Sequence, residues 1–510
     1  MPAPAVPGEH EPYNSGDALV HAAAARGERG LLDGGGRAAS GREVAARALA
    51  FQHALAARGL AAGDRVLIVA RDTPAFFAAF LGALRGGFLP VPISTSLPER
   101  DVAFIARDAG VRAAVVDRAL PAALGDPALY PAGAALFAVA GGEIEGVAPG
   151  PEPAAARASA GDPAFFLYTS GTTGEPKGAV HRHVDLPVTA ECYGRGLLGL
   201  GPDDRVFSAA KLYFAYGLGN ALTFPLLLGA EVALLAERPT PEAVFEVLRR
   251  ARPTVFFGVP TLYAALLAHP ELPPDLGAVR LCVSAGEALP APLWERWRAR
   301  FGVEILDGLG STEMLHIFVS NRPGRAVAGS SGVPVPGYEV RLVDGDDRDV
   351  ADGEIGSLLA RGASAARSYH ARPAETARTM FAPGWLRTGD SYRRDAAGCY
   401  WHVGRSDDLL KVSGQYVSPV EVVAVLAAHP AVVEAAVVGQ ADADGLTKAR
   451  AFVVLASGAQ PSERLARELQ DFVKAKTAPH KYPRRVDFVD ELPKTATGKI
   501  RRHLLREKAP

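Results

Sequence analysis

The chain has 510 residues, too many for one hydrophobic core, with 48% hydrophobic and 22% charged side chains and a formal net charge of -1. That is the composition of a globular protein of several domains, and it leaves no electrostatic case for nucleic acid or an anionic membrane surface. No apolar run is long enough to span a bilayer, the stretch Met1 to Asp17 has no apolar signal region, and Cys192, Cys282 and Cys399 form neither a zinc spacing nor a disulfide framework; a cytoplasmic location is expected.

Residues 1–39 are Pro/Gly/Ala-rich with weak periodicity and read as an irregular arm packed on the first domain. Ser40-Gly41-Arg42-Glu43 is a capping box that opens an amphipathic helix running through Leu55. Residues 65–70 read as a buried strand, and Pro74 starts a helix that ends near Leu84. Strands follow at 88–93 and 113–116, separated by a helix over 99–109. Residues 141–161 read as a connector. A second alternating region spans 205–306, with strands near 232–235, 254–257 and 281–284 and helices near 242–250, 261–268 and 292–300. This alternation predicts doubly wound parallel α/β sheets. Past Gly332, residues 338–343 and 354–360 alternate apolar and polar side chains between Asp/Gly turns, which predicts an antiparallel, β-barrel-like subdomain. Gly404 to Asp408 reads as a boundary. Beyond it come a strand pair, a helix near Pro419, strands near 435–438 and 451–455, and a helix over 463–476, a small α+β domain. The division expected is 1–405 and 406–510.

The chemistry concentrates in Tyr168-Thr169-Ser170-Gly171-Thr172-Thr173-Gly174-Glu175-Pro176-Lys177-Gly178-Ala179. Glycines let backbone amides turn toward an anion, hydroxyls add donors, and Lys177 adds charge, so the stretch suits a polyphosphate. It is not the Walker loop, because no Gly-Lys-Ser/Thr closes it. Taken alone it could also be a Gly/Ser/Thr-rich surface loop. The spelling resembles the phosphate loop of the adenylate-forming superfamily: acyl-CoA synthetases, peptide-synthetase adenylation domains and luciferases. Lys211-Leu212-Tyr213-Phe214-Ala215-Tyr216-Gly217-Leu218-Gly219-Asn220 and Asp307-Gly308-Leu309-Gly310-Ser311-Thr312-Glu313-Met314-Leu315-His316-Ile317-Phe318 narrow the resemblance to the benzoate–CoA ligase branch.

The resemblance implies ATP, Mg²⁺ and coenzyme A as reactants and a small aromatic carboxylic acid as substrate. Thr169, Ser170, Gly171, Thr172, Thr173, Gly174 and Lys177 would grip the β- and γ-phosphates. Ala285, Gly286 and Glu287 would lie along the adenine; alone they read as a strand-end Gly turn. In Asp307, Gly308, Leu309, Gly310 and Ser311 the glycines would let nucleotide approach the backbone. Thr312 would bond the α-phosphate and Glu313 would supply an oxygen to Mg²⁺, although Thr-Glu alone reads as a helix start. Asp390, in Trp385-Leu386-Arg387-Thr388-Gly389-Asp390, would read the ribose diol, with Arg405 near it. Asp407 would be the hinge of a mobile C-terminal domain. Lys499, in Pro493-Lys494-Thr495-Ala496-Thr497-Gly498-Lys499-Ile500, would swing in to bridge carboxylate and α-phosphate. Gly414 would let the pantetheine chain of CoA pass.

For the aryl pocket, Tyr216 would stack on a ring, Ala215, Gly217, Gly308 and Gly310 would keep space for it, and His316 and Ile317 would close the far end. Tyr213, Phe214 and Tyr216 also read as core aromatics and His316 as a satisfied core histidine. The implied activity is an aryl-CoA ligase for benzoate or an amino- or hydroxybenzoate. The alternatives are an enzyme loading a carrier-protein thiol and a catalytically silent binding protein. A homodimer stays open.

Overall fold

The computed structural model describes residues 6–28, 30–32, 38–148, 150, 152–170, 175–381, 384–405, 410–412, 415–441, 447–456, 458–478, 481–493 and 500–507. Among these, two α/β sheets form the larger part. A nine-stranded sheet runs in the order Val333–Pro334, Ile317–Ser320, Ile305–Gly310, Leu281–Ser284, Val255–Gly258, Arg205–Ser208, Glu231–Ala233, Gly30–Leu32, Ala38–Ser40. It is parallel from Ile305–Gly310 through to Gly30–Leu32. A five-stranded sheet orders Leu89–Pro92, Arg65–Val69, Val111–Asp117, Ala135–Ala140 and Glu143–Ile144, parallel except for the last pair.

Strand side chains alternate faces, and the burial follows that period. Val206, Val232, Val255, Phe257 and Val283 face a central core shared with Val66, Ile68, Ala113 and Val115 of the other sheet. Phe207, Ala233, Phe256 and Cys282 face the opposite way, onto helices Pro241–Ala251, Pro260–Ala268 and Ala291–Phe301. Leu67, Val69, Ala114 and Val116 likewise meet Val102 and Ile105 of the helix Glu99–Asp108. The fold is therefore doubly wound, as the alternation predicts. Between the sheets lie Gly41–Ala57, whose Ser40–Glu43 capping box is formed in both directions, and Pro74–Arg85, which is buried all round. Phe76, Phe77 and Phe80 are fully buried there, each worth about 1.5–3 kcal/mol of transfer free energy.

The N-terminal arm is not irregular. Ser15–Ala25 is a helix capped by Asn14, whose side chain accepts from the Asp17 amide, and Gly30–Leu32 and Ala38–Ser40 extend the nine-stranded sheet. The apolar stripe of that helix, Leu19, Val20 and Ala23, is too small to announce itself; it is stable because the rest of the fold covers it.

The antiparallel subdomain is present as Tyr338–Val343, Ile355–Gly362, Trp385–Arg394 and Met380–Phe381, with Tyr400–Arg405 also pairing Trp385–Arg394. A further small sheet pairs Ser368–Tyr369, Pro176–Arg182 and Pro163–Ser170; the apolar run Ala164 to Leu167 predicts the last of these strands, and its two partners carry no such signal. The C-terminal region holds the hairpin Leu410–Val412 and Gln415–Val417. Its sheet Val432–Ala441, Thr447–Leu455, Arg485–Phe488 packs on helices Pro419–Ala427 and Glu463–Lys476 through Val422, Leu426, Val437, Ala451, Leu469 and Val473. No helix among the described residues is long and apolar enough to cross a membrane.

Candidate active site

The predicted phosphate stretch lies where two antiparallel strands, Pro163–Ser170 and Pro176–Arg182, follow one another in the chain. Thr169 pairs with Lys177 and Tyr168 with Gly178. Gly171, Thr172, Thr173 and Gly174 lie outside the described residues. The hairpin root is pinned: Tyr168 Oη donates to Asp108 Oδ2 (2.6 Å), and Arg372 Nη2 donates to Asp108 Oδ1 (2.7 Å). Lys177 Nζ stands 5.5 Å from the centre of the Tyr369 ring, on the neighbouring strand.

Thr312 and Glu313 sit in a turn rather than at a helix start. The reason is backbone geometry: Leu315 takes φ 66°, left-handed for a branched side chain, at a cost of about 1–3 kcal/mol. Donors from outside the turn hold it there. Ser364 Oγ donates to the Met314 carbonyl (2.8 Å) and the Ala366 amide to the Glu313 carbonyl (2.7 Å). His181 Nε2 lies 2.9 Å from the Thr312 carbonyl oxygen. Tyr369 Oη donates to Glu313 Oε1 (2.6 Å). Burial, and then the Glu313 charge, push the Tyr369 hydroxyl well up, so it stays a donor to that carboxylate.

Asp390 and Arg405 are cross-strand partners, and Arg405 Nη1 donates to Asp390 Oδ1 (3.2 Å) and to the Thr388 carbonyl (3.0 Å). Both side chains are half-buried, and Arg405 lies close enough to Tyr369 to act on its charge. Lys177, Glu313, Asp390 and Arg405 thus converge from separate elements.

The second group sits at the carboxyl ends of the parallel strands, where open α/β sheets bind ligands. Tyr216 Oη donates to the Val283 carbonyl at 3.2 Å and lies 3.4 Å from that of Gly258, the penultimate and final residues of two such strands. Ala285 is buried, Gly286 is exposed at φ 94°, and Glu287 is half-buried just beyond Leu281–Ser284. Asp307 is buried, and burial raises its carboxyl well above the usual range. His316 is buried with its ring 4.6 Å from Phe224, 5.0 Å from Tyr193 and 5.6 Å from Tyr216, and its Nε2 is 3.0 Å from Asn220 Oδ1. Burial drives its pKa down to about 3. Its Nδ1, together with Asn220 Nδ2 and Thr223 Oγ1, makes no hydrogen bond among the described residues. Ile317 is fully buried and pairs with Gly310. Ala215 is buried.

One expectation changes in kind. A Cβ at Gly217 would stand 2.1 Å from the Lys211 carbonyl oxygen, and one at Gly310 would stand 2.8 Å from that of His316. What these glycines admit in the Cβ direction is other backbone, not a flat ring; their smallness serves the close packing of the wall. Gly308 behaves similarly, its Cβ position meeting Ile317 Cγ2 at 2.8 Å. Asp407, Gly414 and Lys499 lie outside the described residues, as do Lys494 to Gly498. Tyr369 and His181 lie in none of the motifs that predict the site. Only their pairing in space marks them, and no local pattern carried that signal.

The model of the AMP-binding enzyme family matches residues 19–370, and that of the AMP-binding enzyme C-terminal domain matches residues 421–499. The chain belongs to the AMP-binding enzyme family. A benzoate–CoA ligase of Thauera aromatica is 51% identical to this AMP-binding enzyme over 88% of the chain and 86% of its own length. A crystal structure of a benzoate CoA ligase from Burkholderia xenovorans LB400 superimposes with a TM-score of 0.90 at 48% identity, covering 97% of this chain and 100% of that one. The anthranilate CoA ligase AuaEII, in complex with anthranoyl-AMP, gives a TM-score of 0.92 at 40% identity over 98% and 97%. The AMP-binding enzyme therefore shares full-length architecture with proteins whose named acids carry a single aromatic ring.

Proposed function

We propose that this AMP-binding enzyme is an ATP-dependent aryl-CoA ligase acting on benzoate or a small amino- or hydroxybenzoate. The observation that supports it is the meeting of the phosphate hairpin, the pinned Thr312–Glu313 turn and the Asp390–Arg405 pair beside a wall of rings, in a chain about half identical to a benzoate–CoA ligase. The substrate carboxylate oxygen attacks the α-phosphorus of ATP, the bond to pyrophosphate breaks, and acyl-AMP forms. The CoA sulfur then attacks the acyl carbon, a C–S bond forms, and AMP leaves with the bonding pair. Neither step needs a covalent protein nucleophile; the protein positions anions and offsets their charge.

In this reading Thr169, Ser170, Gly171, Thr172, Thr173, Gly174 and Lys177 bind the β- and γ-phosphates, and Ala285, Gly286 and Glu287 flank the adenine. Thr312 bonds the α-phosphate, and Asp390, steadied by Arg405, accepts the ribose hydroxyls. Glu313 would hold Mg²⁺. A half-buried carboxylate with one oxygen fixed by Tyr369 suits that ion, which is commonly bound by one or two carboxylates together with substrate phosphates. When bound, the ion offsets phosphate charge. Residues 406–510 are proposed to turn about Asp407 between two orientations, one presenting Lys499 for adenylation, the other presenting Gly414 to the pantetheine chain. Lys499 in the transition state is expected to be worth on the order of 3–4 kcal/mol.

A carrier-protein acceptor is disfavoured, since the curated relatives that match over most of their own length, such as the benzoate, hydroxybenzoate and anthranilate ligases, are named for CoA. The test is a panel of benzoates, fatty acids and aliphatic diacids, scored by AMP formation with free CoA and with a holo-carrier protein. Benzoates should be consumed with free CoA. Absence of aromatic-acid-dependent pyrophosphate release would overturn the reading.

A further inference from the structure

We infer that His181, backed by Asp185, is a positioning residue that ties the Thr312–Glu313 turn to the phosphate hairpin, so that the parts of the nucleotide site keep one spacing. The inference rests on the adenylating role proposed for that turn. His181 lies near the end of Pro176–Arg182, the strand that leaves the phosphate loop. Both His181 and Asp185 are fully buried. The imidazole is stacked on Phe165 of the partner strand, with ring centres 5.0 Å apart and planes at 17°. Its Nδ1 is 3.1 Å from Asp185 Oδ2 and its Nε2 is 2.9 Å from the Thr312 carbonyl oxygen.

Both atoms facing the ring nitrogens are acceptors, so each of these bonds needs an N–H on the imidazole. Asp185 is itself held, accepting from the Arg182 amide (2.9 Å) and Arg182 Nε (3.0 Å). Arg182 Nη2 donates onward to the Ala363 carbonyl (2.5 Å), just ahead of the segment that supplies Ser364 and Ala366 to the same turn. Among the described residues, His181 is the one donor to Thr312, Glu313 and Met314 that is carried by the hairpin itself. An imidazole with one nitrogen on a carboxylate and the other on a turn carbonyl, in a dry interior, has one orientation. Its chain neighbours lead directly back to Lys177. Pyrophosphate must leave along the line fixed by those two segments, so their relative placement matters to rate more than to affinity for the aromatic acid.

The test compares His181→Asn with His181→Gln in the full chain, using pyrophosphate release on ATP, Mg²⁺ and benzoate. Asn keeps a donor near the Nδ1 position, toward Asp185, and loses the reach to Thr312. Gln places its amide near the Nε2 position and keeps that reach. His181→Asn is expected to lower kcat by about ten- to a hundredfold, to raise the Mg²⁺ concentration for half-maximal rate, and to leave the KM for benzoate unchanged. His181→Gln should recover most of the rate. Wild-type kcat and Mg²⁺ dependence in the Asn variant, or equal slowness in both, would overturn the inference. Glu313→Gln separates the two levels. If it leaves rate and Mg²⁺ dependence intact, the reading of the turn as part of the site is wrong; if it is crippled while His181→Asn is not, the positioning role alone falls.

Discussion

The wall proposed to hold the nucleotide and the wall proposed to hold the ring handle their polar groups differently. On the nucleotide side Glu313 has Tyr369, Asp390 has Arg405, the Thr312 carbonyl has His181, and Asp108 is shared by Tyr168 and Arg372. On the ring side Asn220 Nδ2, Thr223 Oγ1 and His316 Nδ1 are buried and make no hydrogen bond among the described residues, as is also true of Ser284 Oγ and Asp307 Oδ1 on the neighbouring strand ends. An unsatisfied buried polar atom costs about 1–3 kcal/mol, a cost that the Glu313 and Asp390 carboxylates avoid through their partners. The lesson is that the half-buried carboxylates Glu313 and Asp390 are held by preset partners, whereas burial pushes the carboxyl of Asp307 toward its neutral form. The wall proposed to bind the ring is shaped by packed aromatics.

The sharpest way to break this contrast is Asp390→Asn. Losing charged acceptance of two hydroxyls should remove about 1.5–3 kcal/mol, a rise of roughly ten- to a hundredfold in the KM for ATP, with the KM for benzoate unmoved. Steady-state kinetics in both substrates will tell; a matching rise for benzoate would mean that the walls are not separable.

A second test works through pH. Burial holds the His316 pKa near 3 in the folded chain, against about 6.5 when unfolded. The unfolded state therefore binds the proton first, and the histidine's contribution to stability is present above pH 6.5 and is lost as pH falls toward 3. Relative to a His316→Gln variant, the wild type should lose about 2 kcal/mol more stability between pH 7 and pH 5. Comparing against the variant cancels Asp72, whose pKa burial raises to about 6 and which works in the opposite sense. Parallel denaturant curves in both proteins would show no such gap if the ring is solvated.

The smallest expected effect is that of Tyr369→Phe. One hydrogen bond to Glu313 is removed while the ring beside Lys177 stays, so adenylation should slow by about five- to tenfold, on the order of 1 kcal/mol. Stopped assays of pyrophosphate release will register it, and an unchanged rate would show that the Thr312–Glu313 turn is held well enough by its backbone contacts alone.

Much of this protein was legible before any coordinates. The helix Glu463–Lys476, the strand Leu281–Ser284 and the Ser40 cap were placed almost to the residue, because periodicity and caps act within about four positions of the chain. The spelling of 168–178 and 307–318 pointed to the family in the same local way. The helix Ser15–Ala25, the strands Gly30–Leu32 and Ala38–Ser40, and the strand Ser368–Tyr369 that pairs with the phosphate hairpin were not legible. Their apolar patterns are short, and their partners lie far along the chain. The same holds for the site. Composition and motif determined which side chains could carry charge. That His181 meets Thr312, 131 residues on, or that His316 meets Asn220 across 96, was decided only by tertiary packing. Hydrogen bonds depend on ångström-scale separation, and sequence distance says nothing about that until the sheets have closed on their cores.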